Sequence, residues 1–190
     1  MERFKFGPAR TGEVAVYGAQ RPGYDSRSVD RTAIREWIEF VQGKGVQRVC
    51  CLLPPNQLSY YNVDLLDEYR SAFGAPNVVH APIDDFHLCD ADTLERRILP
   101  FLAESAARNV PVVVHCSGGS GRTGHVLAAS LVRHRGLNVD AVLSAVRSMN
   151  RNPKEAVDCG HATLEQLRAL LVGAPEQPAV RGVDSNDADL

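Results

Sequence analysis

From Val110 to Gly136 the chain passes from a β-branched apolar run, Val110-Pro111-Val112-Val113-Val114-His115, through a glycine-rich stretch into a helical pattern. A short strand that is apolar on both faces belongs in a sheet covered by helices on either side. After Thr123, the residues Val126, Leu127, Ala129, Ser130, Leu131 and Val132 are apolar or small almost all round, and Gly136 ends the element. That pattern predicts a helix buried on nearly every side. The loop between them therefore joins the carboxyl end of a strand to the amino end of a helix.

The rest of the chain repeats this alternation. Strands are predicted over 13–17, 46–53 and 77–81, with a turn-rich stretch over 18–28. Helical spacing is carried by Ile34, Ile38 and Val41, then by Leu65, Leu66, Tyr69 and Phe73, then by Leu94, Ile98, Phe101 and Leu102. Asp92 with Glu95 reads as a capping-box-like start for the last of these. Two further helices follow, one capped by Asn138 and bearing Val142, Leu143, Val146 and Met149, the other bearing Leu164, Leu167, Leu170 and Leu171. Strands alternating with helices imply an α/β fold with a central, mostly parallel sheet flanked by helices. A single domain is expected over 1–173, and the Pro, Gly, Asp and Ser content of 174–190 reads as a disordered tail.

The loop itself carries the chemistry. At a helix amino end several backbone N–H groups lack intrahelical partners and the dipole favours negative charge, so an anion is held there without a metal. Gly118, Gly119 and Gly121 let those groups converge, with Ser117 and Ser120 between them. Arg122 adds a planar fork matched to two phosphate oxygens. Cys116 lies six positions before it, where the same field favours the nucleophilic thiolate. A thiolate beneath a bound phosphate is arranged for phosphoryl transfer.

His115-Cys116-Ser117-Gly118-Gly119-Ser120-Gly121-Arg122-Thr123-Gly124 resembles the signature of the cysteine-dependent protein tyrosine and dual-specificity phosphatases, His-Cys-x-x-Gly-x-Gly-Arg-Thr-Gly, at every fixed position. The resemblance implies a protein tyrosine phosphatase-like fold and hydrolysis of phosphomonoesters through a phosphocysteine, with no cofactor. It carries the nucleophile onto Cys116 and phosphate binding onto Arg122 and the backbone of 117–121. Thr123 takes the hydroxyl that assists departure of sulfur, and His115 supports the loop. In that family the acid often follows a Pro-Ile-x pattern about thirty residues before the cysteine, which Pro82-Ile83-Asp84-Asp85 matches with Asp85; Asp84 is the rival, one residue away. Asp90 reads as a solvated loop acid and Asp92 as a helix cap. Ala145 to Pro153 resembles the family's Ala-x-x-x-Val-Arg-x-x-Arg-Pro region with altered spacing. The Asn or Gln that relatives often place near the pocket has no counterpart in Val157-Asp158-Cys159-Gly160-His161.

Other readings stand beside this one. Rhodanese-like sulfurtransferases and thiol-dependent arsenate reductases share parts of the loop, but the Arg-Thr-Gly ending and an upstream acid argue against both. A phosphoprotein-binding module without turnover is a third alternative. His80, Asp84, Asp85 and His87 are metal-ligand types, yet the mechanism needs no metal and none is expected. Some relatives protect their nucleophile by a disulfide, for which Cys51 and Cys89 are available, although buried inert thiols suit them better. The arginines at 3, 10, 21, 27, 31 and 35 read as solvated surface.

Composition sets the remaining expectations. With 190 residues, 44% of them hydrophobic, and a formal charge of -2, a sizeable core is possible and no attraction to nucleic acid or membrane is expected. There is no basic-apolar leader and no run near the ~20 apolar residues of a membrane span. Five cysteines, an odd number without framework or zinc spacing, suit a reducing compartment, so a cytoplasmic monomer is expected. Its partner would be a phosphorylated protein or small phosphomonoester; inositol phosphates, RNA 5′ ends and metabolites remain alternatives.

Overall fold

Val112, Val114 and Cys116 pack into one hydrophobic cluster while Val113 packs into another, the two-residue alternation of a strand covered on both faces. The computed structural model describes residues 3–173, so the expected tail over 174–190 lies outside the described residues. Five strands form one sheet: β1 (Gly7–Pro8), β2 (Val16–Gln20), β3 (Arg48–Cys51), β4 (Val78–His80) and β5 (Val112–Cys116). Their order is β1-β2-β5-β3-β4. Only β1 runs antiparallel, and β5 lies between β2 and β3 with Cys116 opposite Gln20 and His115 opposite Cys51. The expected parallel α/β architecture is present. The second strand, however, begins at Val16 and continues through Gln20 into the stretch expected to be turns.

One face of the sheet is covered by α1 (Arg31–Gly43) and α3 (Leu65–Phe73). Asp30 and Asp64 cap these helices by accepting from Ala33 and Asp67 N–H. The other face carries α5 (Leu99–Arg108), α6 (Gly121–Arg135), α7 (Val139–Ser148) and α9 (Leu164–Val172). Every residue of α6 from Gly121 to Leu131 is buried, and Gly136 closes the helix in the left-handed region, as its composition predicts. No helix among the described residues is long and apolar enough to cross a membrane.

Two local expectations need correction. The helix before β5 starts with α4 (Ala91–Thr93), passes through a π-helical turn, Leu94–Ile98, and continues as α5. Its cap is Asp90, which accepts from Thr93 N–H, whereas Asp92 lies inside the first turn and pairs with Arg96. A capping carboxylate must precede the turn whose amides it serves. The π turn precedes Pro100, which has no N–H to give to the carbonyl four residues back. Two short helices were not expected, α2 (Pro55–Leu58) and α8 (Glu155–Asp158). Both point residues at the site.

Candidate active site

Cys116 ends β5 at the sheet's carboxyl edge, and α6 begins five residues later, so residues 117–120 turn between them. Gly119 has φ +63°, and a Cβ there would lie 2.5 Å from the Ala19 carbonyl oxygen. Only glycine fits this turn against β2. The loop's own carbonyls are held from outside. Arg21 N–H donates to Ser117 O at 3.1 Å and its Nε to Ser117 Oγ at 3.3 Å. Arg151 Nη1 donates to Gly119 O, and Asn152 N–H to Ser120 Oγ at 3.2 Å.

The first of these two arginines corrects the sequence reading. Arg21 is buried rather than part of a solvated rim, and gathers the carbonyls of Pro22, Gly23, Tyr24 and Ser26. Arg151 is equally buried and donates to the carbonyls of Lys5, Gly7 and Gly18 as well. Burial pulls it down to about 10, still protonated at neutral pH.

A cavity of about 130 Å3 opens over the loop, lined by Cys116, Ser117, Gly118, Ser120, Gly121 and Arg122, and by Tyr24, Asp85, Phe86 and Glu155 from elsewhere. That volume suits a single phosphate group with part of its ester. A larger groove, about 650 Å3, runs along the open edge of β4 past Arg48, Arg96 and Arg97 and shares no lining residue with it. The chemistry of its lining, not its size, makes the smaller cavity the candidate site.

Of the candidate acids, Asp85 lines the cavity and Asp84 does not. Arg122 Nη2 lies 2.7 Å from Asp85 Oδ1, and Arg122 Nη1 donates to the Ile83 carbonyl and to Gln57 Oε1. Gln57, from α2, completes a triangle by donating from Nε2 to Asp85 Oδ2 at 3.0 Å. Arg122 is buried, and its Nε has no hydrogen-bond partner. His87 Nδ1 donates to the Asp85 carbonyl, and His87 stacks on His161 with ring centroids 4.4 Å apart. Among the described residues no group of three or more His, Cys, Asp or Glu has the geometry of a metal site.

His115 lies beneath the loop. Its Nδ1 faces the Cys116 carbonyl at 3.4 Å and its Nε2 the Tyr69 hydroxyl at 3.1 Å. A carbonyl can only accept, so Nδ1 carries the proton and Tyr69 donates to Nε2. Burial drives His115 down to about 3 and Tyr69 well above its ordinary value, which keeps both neutral. Thr123 is buried with its Oγ1 unpartnered. Burial also pushes the Cys51 and Cys89 thiols up to about 12, and all five cysteines are free thiols. Cys50 and Cys51 pack into opposite clusters, as adjacent strand residues should.

Glu155 was missed by the sequence reading. It opens α8, and a Cβ on Gly121 would lie 1.9 Å from its Oε2, so its carboxyl rests on the first residue of α6. Burial first, and the Asp85 carboxylate second, raise its hold on a proton, offset by Arg122, Lys5 and a backbone hydrogen bond from Gly121. The altered spacing around Asn152-Pro153 was the one hint that a different residue enters here.

A family model described as "Polymorphic toxin system, DSP-PTPase phosphatase" matches residues 24–136, more than half of the chain. The chain belongs to this family. It is a dual-specificity phosphatase-like member of the cysteine-dependent protein tyrosine phosphatase superfamily. The dual specificity protein phosphatase of vaccinia virus (strain Western Reserve) is 31% identical over 67 residues, 35% of this chain and 39% of the viral protein. The chain thus spans about two fifths of the length of that curated relative. Among solved structures, Tk-PTP in its active form is 27% identical, with a TM-score of 0.60 over 80% of this chain and 90% of that one. Kinase associated phosphatase, at 22% identity and TM-score 0.64 over 81% of this chain and 88% of that one, shares the fold. The DSP-PTPase match covers the loop, Asp85 and Gln57; Glu155 and Arg151 fall beyond it.

Proposed function

We propose that this DSP-PTPase family member hydrolyses phosphomonoesters through a phosphocysteine. The observation that carries the reading is a single small cavity holding Cys116, Arg122 and Asp85 over the glycine-rich loop at the amino end of α6. Incoming phosphate takes the unpartnered Nε of Arg122 and displaces Asp85 from Nη2, which frees the carboxyl to act on the leaving oxygen. Cys116 sulfur attacks phosphorus, the ester P–O bond breaks, and Asp85 gives its proton to that oxygen. Water then attacks the phosphocysteine, the P–S bond breaks, and Asp85 takes the water's proton. Thr123, with a buried hydroxyl free to donate, supports the departing sulfur, and neutral His115 fixes the Cys116 carbonyl.

For the substrate we propose phosphoproteins, with aryl esters turned over fastest. Tyr24 and Phe86 both line the cavity and are each 45% exposed, unusual for large aromatics. A phenyl ring entering between them would be stacked rather than solvated. Phe86 is held at φ +62°, a strained conformation for a bulky residue and one that is often kept for function. The lining of the loop carries no lysine to read further phosphates.

The test is kcat/KM on phosphotyrosine, phosphoserine and phosphothreonine peptides, a phosphoinositide and an RNA 5′-phosphate, with vanadate and EDTA as controls. Vanadate-sensitive, EDTA-resistant turnover with phosphotyrosine fastest is the expected result, and Tyr24→Ala should narrow the aryl preference. A dominant phosphoinositide or RNA activity would replace the protein substrate. Tight phosphate binding without turnover would leave a binding module.

A further inference from the structure

We infer that Glu155 is a second, proton-donating carboxyl of the anion site, so that a phosphate group binds together with one proton on Glu155. The inference rests on the reading of the cavity as a phosphate site and adds a residue to it. Geometry comes first. Glu155 lines the cavity with Cys116, Arg122 and Asp85, and its carboxyl lies on Gly121, where the loop amides and the helix amino end meet. A group at that place lies alongside the bound anion.

An ionised carboxylate there would oppose a dianion at close range in a partly desolvated cavity, where charge repulsion is weakly screened. A neutral carboxyl instead offers an O–H donor. The surroundings favour the neutral form. Facing Glu155 are Asp85 from the acid loop, Cys116 from β5, Arg122 from α6 and Lys5 from the amino-terminal turn, with Lys154 and Asp158 on its own short element. Burial and Asp85 already raise its proton affinity in the ligand-free protein, and two added negative charges raise it further. By linkage the effect is mutual, and protonation of Glu155 strengthens anion binding to the same extent. Lys5, itself half-buried and pulled down chiefly by that burial, is a weak counter-charge.

The probe is sulfate, whose charge is constant between pH 5 and 8, and the protein carries Cys116→Ser so that the nucleophile does not titrate. Sulfate affinity is measured by calorimetry at pH 5.5 and 7.5, with and without Glu155→Gln. Both proteins also carry Asp85→Asn, because the Asp85 and Glu155 carboxyls interact and would otherwise titrate as a pair. The uptake of one proton costs up to tenfold in affinity per pH unit, so between these pH values the protein with Glu155 should lose about tenfold more affinity than the Gln variant, whose neutral amide donates at both. An identical pH dependence overturns the inference while leaving the phosphate site intact. So does equal loss of affinity at both pH values in the Gln variant, which marks a merely structural role. If sulfate binds to neither protein in competition with vanadate, the phosphate-site reading itself fails and the inference goes with it.

Discussion

Arg122 and Asp85 are bonded to each other, Nη2 to Oδ1 at 2.7 Å, with Gln57 bonded to both. The guanidinium of the loop arginine and the candidate acid thus satisfy one another. Under the proposed function, substrate exchanges one anionic partner of Arg122 for another, which leaves no uncompensated buried charge at either stage.

Cys116→Ser should abolish turnover and keep phosphate binding, because a serine alkoxide is scarcely populated whereas the loop amides and Arg122 are unchanged. Arg122→Ala should lose both. Single-turnover kinetics together with phosphate titration check the pair, and near-wild-type activity in Cys116→Ser would remove the covalent mechanism.

Asp85→Asn should slow substrates with poor leaving groups by about 10² to 10⁴-fold and flatten the basic limb of the rate profile. Asp84→Asn should do far less, since Asp84 is exposed and outside the cavity. The reverse ranking, read from kcat on an alkyl phosphate, would move the acid by one residue.

Arg151→Leu should destabilise the fold strongly. It strips the donor from the carbonyls of Lys5, Gly7, Gly18 and Gly119, and each buried group left unpaired costs about 1–3 kcal/mol. A fall in Tm of about 6–12 °C follows from a loss of about 3 kcal/mol in a chain of this size. Arg147→Leu, on an exposed position nearby, should change Tm by little. Equal shifts in the two variants would contradict the buried anchor.

Acid should destabilise the protein before its carboxylates titrate. Burial pulls His115 to about 3 and His125 to about 4, below the ordinary value of about 6.5. The unfolded chain therefore binds more protons, and stability falls as pH drops from about 6.5 towards 4, by about 1.4 kcal/mol per pH unit for each histidine. Glu155, shifted upward, acts in the opposite sense and offsets part of this. Chemical denaturation between pH 7.5 and 4.5 measures the slope. His125→Gln, whose amide oxygen can still accept from Cys89 N–H as His125 Nε2 does, should lower it by about one proton.

The parallel sheet and the strand-turn-helix that carries the candidate nucleophile Cys116 were legible in the sequence because each rests on neighbours along the chain. The apolar run of β5 reports its own burial, Gly119 its own backbone turn, and the Cys116-to-Arg122 spacing a loop that closes locally. Caps were legible to within two residues, with Asp90 taking the place expected of Asp92. What only the tertiary structure decided came from distant elements. Gln57 enters from a short helix just past the strand expected over 46–53, Tyr24 from a turn that Arg21 folds, and Glu155 from a short helix after the signature region. Arg21 read as surface charge and Arg151 only as part of a family-like stretch, yet both are buried on backbone carbonyls. A carbonyl belongs to every residue type, so a side chain that bonds to carbonyls leaves no complementary partner in the sequence to find. Packing between elements decides which charges are inside, and that depends on how the sheet and helices close around the loop.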